Sequence, residues 1–277
     1  MNPKEEKLIR HIGFSGHYSP AVNMDMLQRD ETGIIDMEMV AFNANDRRHF
    51  SQINNTIPVA VAKGVAVLAY KAFSNGQMFR GGSPWATGAK ALIKTVGVRG
   101  CPSYEKLLHY PLSIPGVCTV IVGIGHIDED PSRCQMMRNL AATQKLDGPL
   151  SNDELMEIED HVAGLVGEKT NGFQASAQPL GAPREAAVQQ EVVNDRRVAR
   201  LSWQTAYAAD EPIDHYAILR DGQPVAKVPY RPQTTKKPLL FEDALADDRK
   251  THAYSIVTVD AAQREAASPK LLIESIG

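Results

Sequence analysis

The stretch "LIRHIGFSGHYSP", Leu8–Pro20, decides how the first part of the chain is read. Its apolar run ends in a polar tip, Ser15-Gly16-His17, and Ser19 and Pro20 then open a helix, with serine as cap and proline at the first helical position. A strand that ends in a polar tip and turns into a helix is the start of a βαβ unit. Ligands of parallel α/β proteins sit at such tips.

The pattern repeats along the chain. "GIIDMEMVAF", Gly33–Phe42, reads as a second strand. "DRRHFSQINNTIPVAVAKG" has helical spacing with a kink or split expected at Pro58 and a C-cap at Gly64. "VAVLAYKAF", Val65–Phe73, is a third strand, continuously apolar as in a sheet covered on both faces. After a loop rich in Gly and Ser come helical segments "AKALIKTVG" and "SYEKLLHYPLS", then a fourth strand, "CTVIVGIG", in which Cys118 is expected to be a buried thiol. Asp130 before Pro131 caps the helix "PSRCQMMRNLAATQ". In "SNDELMEIEDHVAGLVG", Ser151 and Glu154 form a capping box. Strands and helices alternating at this spacing predict right-handed βαβ units and a parallel sheet, four units in all, about half of a (β/α)8 barrel and so a partial one.

After Gly167 the character changes. Residues 168–194 are rich in Ala, Gln, Pro and Gly and read as a linker, with a short helical turn around "REAAVQQ". From residue 195 the period is two. Six strand candidates follow, and "RDGQ", Arg220–Gln223, is a hairpin turn. The predicted organisation is an α/β domain over 1–167, a linker, and an antiparallel β-sandwich over 195–277.

Composition narrows the function classes. The chain has 277 residues, 43% of them hydrophobic, and a net charge of -3, so no basic field favours nucleic acid. Three cysteines without a CxxC pair argue against a disulfide framework or a Cys-built metal site. The charged start "MNPKEEKLIR" has no apolar leader core, and no apolar run approaches a membrane span. A cytoplasmic protein is expected.

The strand ends "FSGH", "VAFNAND", "LAYKAF" and "VIVGIGH", then "QMMRN", in this order, resemble the second half of the aldo/keto reductases. "SIPGVCTVIVGIG" and "LSNDELMEIE" add to the resemblance, which runs from about residue 4 to residue 166. It implies a β/α barrel that binds NADP(H) across the C-terminal rim and transfers hydride to a small-molecule carbonyl. Ser15 matches the serine that bonds the nicotinamide carboxamide; Gly16 stands where the family often has Asn, and Met39 where many members have Gln. His17 would sit at the mouth, Glu38 on the other face, and Asn43 would fix loop backbone. Tyr70 matches the aromatic that stacks on the nicotinamide. Lys71 could offset phosphate charge. Ser74, Asn75 and Gly76 match the pyrophosphate loop; Gly123 and Gly125 close the last strand, and Gln135, Arg138 and Asn139 match the adenosine end. Asp128, Glu129 and Asp130 would oppose a 2′-phosphate, against Arg133 and Arg138, which leaves NADP or NAD open.

The same resemblance implies a proton donor: a tyrosine activated by lysine and aspartate, with a histidine nearby. The family carries these on its first four β/α units, and the matched stretch contains none of them. Tyr70 and Lys71 are adjacent on a strand, so they should point to opposite faces. The chain alone is therefore expected to be inactive as a reductase. The strands at Leu8 and Thr119 would expose edges, which invites self-association. The other reading is a non-catalytic binding or association protein. In the C-terminal part, Trp203, Tyr216 and Tyr254 resemble the fibronectin type III pattern. Trp203 would lie in the core, and the Tyr254 hydroxyl would bond nearby backbone.

Overall fold

The computed structural model describes residues 4, 6, 8–74, 78, 103–123, 127–132, 134–166, 173–193, 196–246 and 250–275. The first part holds a four-stranded parallel sheet in the order β1-β2-β3-β4, formed by Gly13–Gly16, Met37–Ala41, Ala66–Tyr70 and Val117–Ile121. Among the described residues five α-helices accompany it: α1 (Pro20–Arg29), α2 (Thr56–Lys63), α3 (Tyr104–Ser113), α4 (Gln135–Thr143) and α5 (Asn152–Val166).

Alternation along the strands assigns the two faces. Val40, Val67 and Ala69 point into one core with Met24 and Leu27 of α1, Ile57 and Ala60 of α2, Leu107 and Tyr110 of α3 and Ile158 and Val162 of α5. The opposite face carries Met37, Met39, Leu68, Thr119 and Ile121. Met37, Met39 and Leu68 are only half-buried, and Ile121 is 43% exposed. The apolar run of β3 was expected to be covered on both faces; among the described residues one of its faces stays largely open. Cys118 corrects a second expectation. It is exposed, because the register between β3 and β4 shifts there: Val67 pairs with Val117 but Leu68 with Thr119, which leaves Cys118 as the bulged residue.

Local signals explain the helix ends. Pro58 neither kinks nor splits α2, since the helix begins only at Thr56 and the proline falls in the first turn, where its missing N–H has no partner to lose. Gly64 closes the helix in the left-handed region, φ +71. Ser151 and Glu154 form the capping box: Ser151 N donates to Glu154 Oε2 (2.8 Å) and Glu154 N to Ser151 Oγ (3.3 Å). Two expected caps differ. The Ser19 side chain makes no cap hydrogen bond. Asp130 instead accepts from Ser132 N (2.9 Å) in a turn that precedes α4, which starts at Gln135.

The second part has two antiparallel sheets. One is β5-β6-β9, from Arg184–Val193, Arg196–Gln204 and Leu239–Ala246. The other runs β11-β10-β7-β8 with β12 also on β10, from Ile213–Arg220 (β7), Gln223–Pro229 (β8), His252–Asp260 (β10), Glu265–Ala267 (β11) and Leu271–Ile273 (β12). Both sheets feed one core around Trp203, Tyr216, Ile218, Tyr254 and Ile256. The Arg220–Gln223 turn is as expected, with Asp221 (φ 53) and Gly222 (φ 78) both left-handed.

Residues 184–193, read as linker with a helical turn, form strand β5. Its sequence, REAAVQQEVV, mixes Arg, Glu, Ala and Gln with three valines, so the period-two signal is weak; Ala186 and Val188 pack against the second core, and backbone pairing with β6 fixes it as an edge strand of its sheet. The tyrosine reading is also corrected. The Tyr254 hydroxyl donates to the Asp243 carboxylate (2.7 Å), which Arg220 also holds (2.7 Å). It is Tyr216 that meets nearby backbone, accepting from Ala206 N (3.1 Å) and pairing with Thr205 Oγ1 (2.9 Å).

The two parts lie side by side. At the N-terminal end of α2, Asn54 Nδ2 donates to Asp210 O (2.7 Å) and Ala209 O (3.0 Å). Phe50 meets Tyr207 edge-on at 5.3 Å. At the other ends of α1 and α2, Gln28 donates to Gln233 O (2.9 Å), Lys63 to Thr234 O (3.3 Å), and Lys236 pairs with Asp25 (2.9 Å).

Candidate functional site

Parallel strands end on one side of the sheet, and the strand order lines their tips up: Ser15-Gly16, then Ala41, then Tyr70, then Ile121 with Gly123 beyond it. Ser15 is exposed at the first tip. Gly16 has a steric reason. A Cβ there would fall 1.9 Å from Asn23 Oδ1, and Asn23 is buried and held by Gln52 (3.3 Å). The larger residue common in the resembled family would therefore collide with α1.

Tyr70 is 8% exposed, and its ring is occupied on its surroundings. His17 meets it edge-on at 4.7 Å, and Phe173 packs with Tyr70, Ala41 and Met39 in a small cluster apart from the main core. Burial pushes the Tyr70 phenol up to about 12, and its hydroxyl has no hydrogen-bond partner among the described residues. Desolvation, then the Lys71 charge, lowers the His17 imidazole, keeping it neutral over a wider pH range.

Lys71 departs from the alternation expected of a strand. Its φ is 66, so the chain turns left-handed at once after Tyr70. Its ammonium comes to 5.5 Å above the ring of Phe173, which also packs with Tyr70. Tyr70 and Lys71 thus serve one mouth. Asn43 Nδ2 holds the turn through Lys71 O (3.1 Å), the role expected of it, and Ser74, also left-handed (φ 49), is buried.

At the far end, Gln135 Nε2 donates to Gly123 O (3.2 Å). The Arg138 guanidinium lies 5.1 Å over the Tyr104 ring, and Asn139 Nδ2 is buried without a hydrogen bond among the described residues. Asp128 accepts from Asp130 N (2.9 Å). Gly76, Gly125, Asn75 and Arg133 lie outside the described residues. On the opposite face Glu38 is fully buried beside Phe14 and Val67, and burial pushes its carboxyl up to about 8.

A dinucleotide fits this rim in part. The exposed Ser15 hydroxyl, the open space at Gly123 and the unpartnered Asn139 amide suit it, whereas the Tyr70 ring is already covered. A cleft of about 700 Å³ lies at the other end of the strands, around Asp30, Asp36, Lys63 and Gly64. Two of its carboxylates are engaged locally, Asp36 on Ile12 N (2.7 Å) and Asp30 on Ile34 N and Ile35 N (3.0 and 2.9 Å). Among the described residues no cluster suits a metal ion, and no helix is long and apolar enough to cross a membrane. Sequence reading missed Phe173, which lies in the Ala- and Gln-rich stretch taken as linker.

No family model and no curated protein matches the chain. Among solved structures it is similar to aldo-keto reductase AKR11C1 from Bacillus halodurans, in apo and holo forms, at 26% identity and a TM-score of 0.40. The match covers 59% of this chain and 53% or 52% of that one, so the chain spans about half the length of that reductase. It is also similar over 35% of its length to fibronectin(III)-like modules of CbhA from Clostridium thermocellum, at 18% identity and a TM-score of 0.24, covering 93% of that chain.

Proposed function

We propose that the parallel-sheet part is the C-terminal half of an aldo/keto reductase-type barrel, carrying a dinucleotide-binding rim without the proton donor. The observation that carries this reading is the line of strand tips, with Ser15, Tyr70 and Gly123 in spatial order and α4 starting beyond them. NAD(P)H, when bound, supplies hydride. Ser15 offers a hydroxyl to the carboxamide, Tyr70 a ring to the nicotinamide, and Gly123 and Asn139 the far wall. Carboxylates at Asp128 and Asp130, with Arg138 already stacked on Tyr104, favour NAD over its 2′-phosphorylated form. Neither Tyr70 nor Tyr110 suits proton transfer: burial pushes both upward, away from the range of a general acid.

Titration of the purified chain with NADH and NADPH, read by nucleotide fluorescence, tests this. NADH should bind more tightly, Tyr70→Ala should weaken it, and no carbonyl should be reduced. Absence of binding at millimolar nucleotide would sink the reading.

The half-open apolar face of Met37, Met39, Leu68 and Ile121, with β1 and β4 as edges of the described sheet, favours association as a second reading. It is tested by light scattering, where a mass near that of one chain at micromolar concentration would reject it.

A further inference from the structure

We infer that a second copy of this chain closes the parallel sheet. Two copies, related by a twofold axis along the barrel, form one eight-stranded barrel in which β4 of each lies beside β1 of the other. The inference rests on the association reading above and deepens it by naming the partner and the contact.

The sheet carries the first observation. Among the described residues β1 and β4 each pair on one side only, and neither GFSG nor VCTVI holds the charge or proline that protects an edge. All-parallel sheets are stable with both faces covered. Here Phe173 covers the end at Met39, Ala41 and Tyr70, while Met37 and Leu68 stay half-buried and Thr119 and Ile121 exposed. Small and large side chains alternate across neighbouring strands on this face: Gly13 beside Met37 beside Ala66, and Ser15 beside Met39. That alternation suits the tapering interior of a small closed barrel.

The helices flanking the two edges carry the second. α4 follows β4, and a right-handed connection takes it over the seam beyond that strand. One side of α4 packs on α3, where the His109 ring meets Ala142 O (2.8 Å) and Arg138 lies over Tyr104. At 3.6 residues per turn Met136, Met137 and Leu140 fall on the opposite side, and they are 45%, 40% and 50% exposed. α1, next to the β1 edge, repeats the pattern. Met24 and Leu27 enter the core, and Asp25 and Gln28 meet the second part, yet Val22 and Met26, one turn apart, stay exposed. In the closed barrel α4 of one copy and α1 of the other are neighbours over the same seam.

The second copy is the occupant because one molecule carries both members of each contact, the β1 and β4 edges and the α1 and α4 stripes. Two copies therefore satisfy one another by a twofold contact and leave no edge. Four strands and four make eight, the number whose barrel side chains just fill. The open face and the two stripes present roughly 800 Å² a copy, one side of a standard stable interface.

Light scattering of the full chain and of Met136→Glu/Leu140→Glu reads the first arm. Both positions are exposed, so the fold of one chain does not depend on them. The parent chain should show twice the mass of one chain at micromolar concentration. The variant should show the mass of one, its dissociation constant raised roughly a hundredfold or more by carboxylates buried at the seam. A one-chain mass in the parent overturns closure together with the association reading. A two-chain mass in the variant keeps association and overturns closure, because α4 then lies outside the contact.

The second arm locates the helices. In a background with Cys101, Cys118 and Cys134 changed to serine, Met26→Cys and Leu140→Cys are expressed separately and together. A bismaleimide should join the co-expressed pair and neither variant alone, since the twofold axis puts like helices on opposite sides of the barrel. Linking within Leu140→Cys alone, or none in a two-chain particle, overturns the barrel and leaves association standing. Should the serine background fail to fold, the first arm decides.

Discussion

Asn55 and Ala208, 153 residues apart, hold each other by a reciprocal pair of hydrogen bonds: Asn55 Nδ2 donates to Ala208 O (3.1 Å), and Ala208 N donates to Asn55 Oδ1 (2.9 Å). The side-chain amide copies a strand pairing across the junction of the two parts. Asn55→Ala leaves a buried backbone N–H and C=O without partners, so it should cost about 2–4 kcal/mol of stability. Urea unfolding followed by near-ultraviolet circular dichroism is expected to show one transition for the parent chain and two for Asn54→Ala/Asn55→Ala. A single unshifted transition in the double variant would contradict a shared unfolding unit.

Glu38 and Asp46 give the chain a pH dependence of definite sign. Burial pushes Glu38 up from 4.5 to about 8 and Asp46 from 3.8 to about 6. The folded state therefore holds protons that the unfolded state releases. The contribution of these two groups is complete below about pH 4 and is lost as pH rises through 6 and 8. Asp46 is partly compensated by bonds from Ser51 Oγ (2.7 Å) and Ile53 N (3.0 Å), whereas neither Glu38 oxygen has a partner among the described residues. Thermal melts between pH 5 and 9 should show Glu38→Gln flattening most of the slope and exceeding the parent chain in stability at the alkaline end. A parent chain that is more stable at pH 9 than at pH 5 would show that Glu38 is not held neutral.

In the second part, Tyr216→Phe should be more harmful than Tyr254→Phe. Removing the Tyr216 hydroxyl strands Ala206 N in the interior, about 2 kcal/mol, while Thr205 Oγ1 keeps Ala206 O. Removing that of Tyr254 leaves Asp243 still paired with Arg220, about 1 kcal/mol. Chemical denaturation of the two variants, with the reverse order as the contrary result, settles the roles.

Gly16→Ala should destabilise by about 2 kcal/mol through overpacking against Asn23. Asn23→Ala in the same chain should relieve most of that, giving a positive coupling in a double-mutant cycle. Independent effects of the two substitutions would remove the steric account of Gly16.

The parallel sheet was legible because β2 and β3 are apolar runs bounded by a proline-led helix start and a glycine stop. Physical periodicity carried the elements there. β5 was illegible for the converse reason: its inward positions are filled by small or moderate side chains such as Ala186 and Val188, set among Gln and Glu, so the period-two signal is faint and backbone pairing with β6 fixes the strand. At the site, Ser15, Tyr70 and Gly123 fall in the expected order along the rim, since strand order follows chain order in this sheet. What the sequence could not give is coverage. Phe173 reaches Tyr70 from more than a hundred residues away, and Lys71 joins it only because the backbone leaves the strand conformation. In the run "QINNT", Gln52–Thr56, Asn54 and Asn55 look like loop residues and are junction residues, each spending its amide on a distant carbonyl.

The left-handed turn at Lys71 can be taken as a strain gauge. A lysine held at φ 66 gives up roughly 1 kcal/mol that glycine would not. Substitution tolerance at this position is thereby divided into two separable quantities, backbone relief and side-chain worth. Glycine there recovers the first and forfeits the second, so the net effect of that one exchange measures how much the ammonium contributes above Phe173.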